Sequence, residues 1–352
     1  MKIKNTVGLI SYGTDIPQNR IKIKDIALAW NKDPKAIEAS LGVIEKAVPS
    51  KDEDTVTLAV NSAKEALEKL KSPMNCKIGA IYTGSESHPY AVKSTSSIVG
   101  EALGIGNNYT AADLEFACKA GTAGVQMITG LVSSGMIEYG IAIGADTAQS
   151  KPGDALEYTA GVAGASFIIG SKKEEIIARI LYTESFTSDT PDFWRREHQT
   201  YPSHAGRFSG EPAYFKHIIG VCKNTLKNTK LKIENFNHVV FHMPNGSFPK
   251  KAAKILGVSD KQLKAGFIGP YLGNSYSACS LVGLASVLDQ AKPKDKILLC
   301  SYGSGSGSDC FIIKVTENIK KLKKNITVQE KIDNKEYISY PEYLKNMGKL
   351  KM

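Results

Sequence analysis

The chain reads as an internally duplicated α/β protein, and three observations predict this. Short apolar runs of strand type alternate with longer amphipathic stretches along most of the 352 residues, the pattern of strands layered with helices. The same ordered set of elements occurs twice. In each copy a polar segment follows the equivalent strand, which gathers chemistry-bearing residues where the copies meet.

The strand-like runs are "TVGLISYG" from Thr6, "KIGAIYTG" from Lys77, "YGIAIGAD" from Tyr139, "GASFIIG" from Gly164, "HVVFHMP" from His238, "KILLCSYG" from Lys296 and "DCFIIKV" from Asp309. Helical spacing of apolar residues marks 55–71, 119–134 and roughly 277–290. In the first copy, "IGAIYTGSE" leads to a helix ending in Leu103-Gly104-Ile105, then to "EFACKAGTAG", a helix and the strand "YGIAIGAD". In the second, "HVVFHMPNG" leads to a helix ending in Leu256-Gly257-Val258, then to "YLGNSYSACS", a helix and "ILLCSYGSG". Overlaying the copies sets Glu86 near His242 and Cys118 against Asn274, with 86 to 118 and 242 to 274 both separations of 32 residues. The boundary falls near 170–180, giving halves 1–172 and 173–317 and a basic extension 318–352. Between the halves, 185–216 is rich in Pro, Gly and aromatics and has poor periodicity. Long irregular loops in compact proteins are often functional, so this one is expected to cover or line a site.

Composition narrows the function classes. Hydrophobic content of 42% and charged content of 23% are those of a soluble globular protein. No run approaches the roughly 18 apolar residues of a spanning helix. Gly8, Gly13 and Asp15 break the first apolar stretch, which reads as a strand rather than a signal peptide; a cytoplasmic location without membrane association is expected. The net charge is +10, and residues 318–352 carry nine lysines against Glu330, Asp333, Glu336 and Glu342. Such an excess is either a solvated surface or an attractor of anionic ligands such as phosphorylated cofactors. Nucleic acid is not expected, because basic and aromatic residues do not interleave. The six cysteines (76, 118, 222, 279, 300 and 310) form no CxxC pair and no Cys/His set at zinc spacing. A disulfide framework would be out of place in a cytosolic chain. Each is core filler by default, with Cys76 an incidental surface or edge residue, and no metal is expected.

Cys118 has a particular setting. It follows an extended run and precedes small residues opening a helix that Gly135 ends. It is either a small core side chain or a nucleophile at a helix N-terminus, where the macrodipole and free N–H groups favour thiolate. His242 follows three apolar residues at the C-terminal end of a strand, where α/β folds bind ligands; a hydrogen-bonded structural histidine fits equally. His198 and His204, in the irregular loop, are second-rank candidates. Asn274, between Gly273 and a helix, is a helix N-cap or a ligand contact. Glu86 follows a strand and precedes Pro89 by three residues; a glutamate in a cleft exchanges protons near neutrality if burial raises its pKa. The run "YGSGSGSD" (302–309) has a strand rather than a helix behind it, so it fails as a dinucleotide fingerprint. A Gly/Ser hairpin instead offers N–H groups to an oxyanion.

Taken together, "GSES" with Glu86, "EFACKAGTAG" with Cys118, "DFWRREHQTYP…GRFS", "FHMPNG" with His242, "GNSYSA" with Asn274 and "SYGSG" with Ser304 resemble the thiolase superfamily. Within it they are most similar to the 3-hydroxy-3-methylglutaryl-CoA synthases of compact, archaeal type, over most of residues 5–316 in order. The resemblance implies a layered α/β/α/β/α thiolase-like fold. It also implies condensation of acetyl-CoA with acetoacetyl-CoA and water to HMG-CoA and CoA, an entry to the mevalonate pathway. Cys118 would carry the acetyl group, Glu86 would take a proton from its methyl, and His242 would polarise the acetoacetyl carbonyls. Asn274 and the N–H groups of Cys118 and Ser304 would bind carbonyl oxygen, and Thr159, Ser209 and Arg207 match family substrate contacts. Where many relatives carry a lysine after His-x-Pro, this chain has Ser247, leaving Lys250, Lys251 or Lys254, with Lys251 the candidate, for CoA phosphates. No cofactor beyond the CoA substrates is implied. A homodimer and a complex with acetoacetyl-CoA thiolase through an OB-fold scaffold protein are. Two other readings stand beside this one: an initiating ketoacyl-carrier-protein synthase, and an inactive thiolase-fold scaffold subunit.

Overall fold

The computed structural model describes residues 1, 3, 5–70, 77–147, 150–323 and 326–350; Cys76 and the end of the expected 55–71 helix lie outside them. The main sheet is built from β1 (Gly8–Asp15), β2 (Ile78–Gly84), β3 (Thr110–Leu114), β4 (Tyr139–Thr147), β5 (Val162–Gly170), β6 (Ala178–Thr187), β7 (His238–Phe241), β8 (Lys296–Cys300) and β9 (Gly307–Val315). Their spatial order is β7-β8-β9-β6-β1-β5-β4-β2-β3. Every expected strand is present, and β3 and β6 are additional.

The duplication is written in the pairing. β1–β5 and β5–β4 are antiparallel and β4–β2 is parallel. Likewise β6–β9 and β9–β8 are antiparallel and β8–β7 is parallel. Only β3 lacks a counterpart. The copies meet at β1–β6 through two residue pairs, Gly8↔Arg179 and Leu9↔Ala178.

Two central helices, Ala120–Ser134 and Cys279–Leu288, touch both copies. The second contacts β1 and β5 of one copy and β7 and β8 of the other, and all ten of its residues are buried, as befits a helix apolar on every side. The first packs on β2, β4 and β5 and reaches the other copy through Thr122 to Ser301 (2.6 Å) and Gln126 to Thr183 (2.8 Å). On the outside, helix Thr55–Glu68 covers β1, β4 and β5, and helix Phe215–Thr229 covers β6, β8 and β9. The layers are therefore α/β/α/β/α. Strands covered on both faces read as continuous apolar runs, which is why β1, β4 and β5 stood out in the sequence.

Local signals place the helix ends. Asp54 and Thr57 form a capping box at the start of the first outer helix. Gly135, at φ 80°, closes the first central helix in the left-handed region. The expected 277–290 helix is shorter: a 3₁₀ turn, Tyr276–Ala278, precedes Cys279–Leu288. The C-terminal extension packs on the body. Val328, Ile332 and Tyr343 are buried, and Glu336–Tyr337 pairs in parallel with Asn19–Lys22. No helix of the described residues is long and apolar enough to cross a membrane.

Candidate functional site

A cavity of about 70 Å³ lies where the copies meet. Its lining includes Cys118, Thr159, Ser209, His242, Asn274 and Ser304, six of the residues singled out in the sequence. Phe193, His204 and Ser209 come from the irregular loop between the halves, which lines the site as expected. The cavity wall also takes Tyr214, Phe248, Tyr276 and Tyr302, aromatic residues that exclude water around the polar groups.

Cys118 is delivered by a tight turn. Ala117 adopts φ 44°, a left-handed conformation that a small side chain bears most easily, and the central helix starts at Ala120. Lys119 is buried and ion-paired to Asp309 on β9 at 3.2 Å, and Asp309 also accepts from Thr122 at 3.0 Å and Ser185 at 2.8 Å. This network clamps the start of the helix to the other copy. Gly303 is needed for the same closeness: a Cβ there would sit 2.5 Å from the Phe116 carbonyl oxygen. Its absence brings the Tyr302–Ser304 turn against the Cys118 loop.

Glu86 stands beside the thiol, with Cys118 Sγ donating to Glu86 Oε1 at 3.1 Å. Burial first, and then the nearby Asp146 carboxylate, push the Glu86 carboxyl up to about 8. Burial and Glu86 together hold the Cys118 thiol well above its ordinary range. This corrects the expectation of a thiolate favoured by the helix dipole: desolvation beside a carboxylate outweighs a terminal dipole worth roughly 0.3–1 kcal/mol at exposed sites. The resting pair is a thiol and a carboxyl group with a direct proton path between them.

Asp146, at the end of β4, was not recognised in the sequence, where it reads as an ordinary strand-terminating residue. It is buried and accepts from Ser85 Oγ (2.7 Å), the Glu86 N–H (2.8 Å), Ser87 Oγ (2.7 Å) and the Ser277 N–H (2.8 Å). One carboxylate thus fixes both the Glu86 loop and the turn after Asn274. Arg195, within the irregular segment, donates to the Glu86 carbonyl at 3.3 Å.

His242 is 1% exposed, its Nδ1 has no partner among the described residues, and burial pushes its pKa down to about 3. It is a neutral imidazole, able to donate one hydrogen bond into the cavity without adding charge. Its carbonyl accepts from Tyr214 Oη at 2.7 Å and its N–H donates to the Cys300 carbonyl at 2.9 Å, so the strand end is rigid. Asn274 Oδ1 accepts from the Tyr276 N–H at 2.9 Å, which leaves the amide NH₂ as its free donor. The Asn274 backbone bonds to Thr159 (2.7 Å) and Gly161 (2.8 Å) of the first copy. His204 is held by Asp154 at 3.0 Å.

Glu86 meets the cavity only through Cys118, and two further candidates are not in its lining. Arg207 is exposed and lies over the Phe208 ring. Lys251 is exposed over Phe215, which packs on the lining residue Phe248. Both stand outside the reactive pocket, where long cationic side chains remain solvated.

A family model described as 3-oxoacyl-[acyl-carrier-protein (ACP)] synthase III C terminal matches residues 226–315. The hydroxymethylglutaryl-CoA synthase of Methanococcus maripaludis strain C6 is 55% identical over 348 residues, covering 98% of this chain and 99% of its own. That of Archaeoglobus fulgidus is 54% identical over 345 residues, with the same coverage of 98% and 99%. Among solved structures, an HMG-CoA synthase complexed with CoA superposes with a TM-score of 0.87 at 24% identity, covering 97% of this chain and 90% of that one. Another, in complex with 3-hydroxy-3-methylglutaryl coenzyme A, gives a TM-score of 0.87 at 23% identity, with coverage of 99% and 93%; these two structures establish the thiolase-like fold. With more than half of its residues shared over almost the full length of the archaeal enzymes, the chain belongs to the hydroxymethylglutaryl-CoA synthase family of acyl-condensing enzymes.

Proposed function

We propose that Cys118 carries the acetyl group, Glu86 moves the protons, and His242, Asn274 and the backbone of Cys118 and Ser304 hold the carbonyl oxygens. The observation that carries this reading is the 3.1 Å contact between the Cys118 thiol and the Glu86 carboxyl. In loading, the Cys118 proton passes to Glu86 as sulfur attacks the acetyl carbonyl, and CoA leaves as its thiol after taking a proton. In condensation, the Glu86 carboxylate takes a proton from the acetyl methyl, the enolate carbon attacks the ketone of acetoacetyl-CoA, and the ketone oxygen takes that proton from Glu86 to become the hydroxyl. Water then cleaves the thioester, which returns the Cys118 thiol and releases HMG-CoA. A carboxyl poised near 8 suits both taking and returning a proton.

The N–H groups of Cys118 and Ser304 donate to no acceptor among the described residues, which supports their use as an oxyanion hole; losing one such donor costs about 3 kcal/mol of barrier. Neutral His242 donates to a carbonyl without a competing charge. A decarboxylating ketoacyl synthase would need no base at Glu86. Thr159 and Ser209 are read as substrate contacts, and Lys251 and Arg207 as outer contacts for CoA phosphates. The halves 1–172 and 173–317 rest on the internal repeat and a cytoplasmic location on the sequence pattern; a homodimer and association with thiolase through a scaffold rest on the family resemblance.

The test is the intact mass of the protein after mixing with acetyl-CoA. Wild type is expected to gain one acetyl group, discharged by acetoacetyl-CoA as HMG-CoA forms, and Cys118→Ala to gain none. An adduct indifferent to acetoacetyl-CoA would overturn the assignment.

A further inference from the structure

The fold brings together three cysteines that no spacing pattern linked. Cys300 closes β8, Cys310 stands directly opposite it on β9, and Cys222 reaches down from the outer helix Phe215–Thr229. All three are fully buried. Cys300 Sγ lies 3.1 Å from Cys222 Sγ and 3.1 Å from Cys310 Sγ, and all three sulfurs fall within 4.8 Å of one another. Apolar packing sets heavy atoms roughly 3.5–4.0 Å apart, so these thiols are closer than filling space requires. Thr225, one turn on from Cys222, turns a buried hydroxyl toward Cys310 without a well-formed hydrogen bond to any partner. Val221, Val239, Leu298 and Ile312 belong to the same apolar core, with Glu184 opposite Cys310 on β6 and Tyr182 and Tyr214 nearby.

We propose that Cys222, Cys300 and Cys310 hold one thiophilic closed-shell ion, Zn(II) or Cu(I), as a three-thiolate site with the Thr225 hydroxyl beside it. Thiolates select these ions over harder ones. Metal–sulfur bonds of about 2.3 Å in a tetrahedral arrangement separate sulfurs by roughly 3.8 Å. The two 3.1 Å pairs therefore open slightly on loading, while the 4.8 Å envelope already spans the set. Burial opposes ionisation of the empty thiols, so the three thiol protons pass to solvent as the ion enters, and no electron changes hands. With every donor buried, the ion enters as the chain folds, and its binding contributes to folding. Cys300 is also the residue whose carbonyl holds the His242 N–H at 2.9 Å, and the turn bearing Ser304 follows it. The site staples the strand ends that present the catalytic groups.

The experiment is elemental analysis of the full-length protein as purified, together with refolding in the presence of Zn(II), Cu(I) or Cd(II). One ion per chain is expected, with thiolate-to-cadmium charge-transfer absorption after refolding in Cd(II). Cys222→Ala should lose at least nine-tenths of the bound ion, whereas Cys118→Ala should retain it, which separates this cluster from the active-site thiol. Refolding in a strong chelator should lower the Tm of wild type and leave that of Cys222→Ala unmoved. A wild-type protein that is metal-free as purified and takes up none of the three ions on refolding overturns the proposal. So does bound metal that survives in both Cys222→Ala and Cys310→Ser.

Discussion

Burial and Asp146 hold the Glu86 carboxyl protonated, burial and Glu86 do the same for the Cys118 thiol, and this fixes the pH dependence of loading. With its pKa raised from the ordinary 4.5 to about 8, the Glu86 carboxyl is mostly protonated at neutrality and gains its charge as pH rises. The apparent rate constant kcat/KM for acetyl transfer from acetyl-CoA should therefore climb with pH and level off above about 8. Glu86→Gln should flatten that limb and cost roughly 10²–10⁴ in rate; quenched-flow trapping of the acetyl adduct across pH measures both. The sign for stability is opposite. A carboxyl raised in the folded state favours folding fully below its unfolded pKa, and that contribution is lost as pH rises from about 4.5 through about 8. At this scale the sequence exposed the residues whose neighbours are unusual, such as Cys118 among small residues and His242 at a strand end. It hid Asp146, because an aspartate ending a strand looks like any turn residue until four donors are seen converging on it. It hid the cluster of Cys222, Cys300 and Cys310 too, because one helix and two strands contribute a single thiol each.

The element that decides the closeness of the two copies at the cavity is the turn after β8. Gly303→Ala would place a methyl 2.5 Å from the Phe116 carbonyl oxygen and 2.8 Å from Lys119 Cγ. The turn must retreat from the Cys118 loop, at about 1–3 kcal/mol of stability. A displacement near 1 Å at a reacting centre costs on the order of a hundredfold in rate. Urea unfolding and the acetyl-adduct rate of Gly303→Ala check the two effects separately, and an unchanged adduct rate would show that Ser304 is not held by this contact. Seven strands were visible in advance because they are apolar runs buried on both faces. β3, "TAADL", was not: its alanines and aspartate have low strand propensity, and it exists by pairing with β2 at the sheet edge. β6, "ARILYTESFT", alternates buried and exposed positions, a weaker mark than a continuous run, and follows directly on the boundary between the copies.

For the whole molecule, the basic extension is a structural part of the first half. Tyr343 is 1% exposed, its ring lies 4.6 Å from the Lys46 ammonium, and its hydroxyl accepts from Lys46 and Lys349 at 3.3 Å each. Lys46, fully buried and pushed down to about 7 first of all by that burial, donates to the Glu157 carbonyl. Glu157 adjoins the Leu156–Thr159 wall of the cavity. Tyr343→Ala is expected to cost about 3–5 kcal/mol in urea unfolding, and to raise KM more than it lowers kcat as that wall loosens. The nine lysines of 318–352 suggested a solvated or ligand-attracting surface. Lys320, Lys321, Lys323 and Lys345 are indeed exposed, but Lys331 binds Thr14 and Glu65, Lys335 binds Glu45 and Lys349 the Ser150 carbonyl. Composition counts charges without saying which ones fold inward.

The pairing of Glu336–Tyr337 with Asn19–Lys22 joins a segment that precedes most of the first copy with one that is made only after both copies. Until then the Asn19–Lys22 edge is open and the face formed by Ile21, Ile23 and Val48 is uncovered by Tyr343. A nascent or prematurely terminated chain therefore displays an unpaired strand edge and an apolar patch, features that chaperones and proteases recognise. Completion of this small sheet would mark a chain made at least through Tyr343.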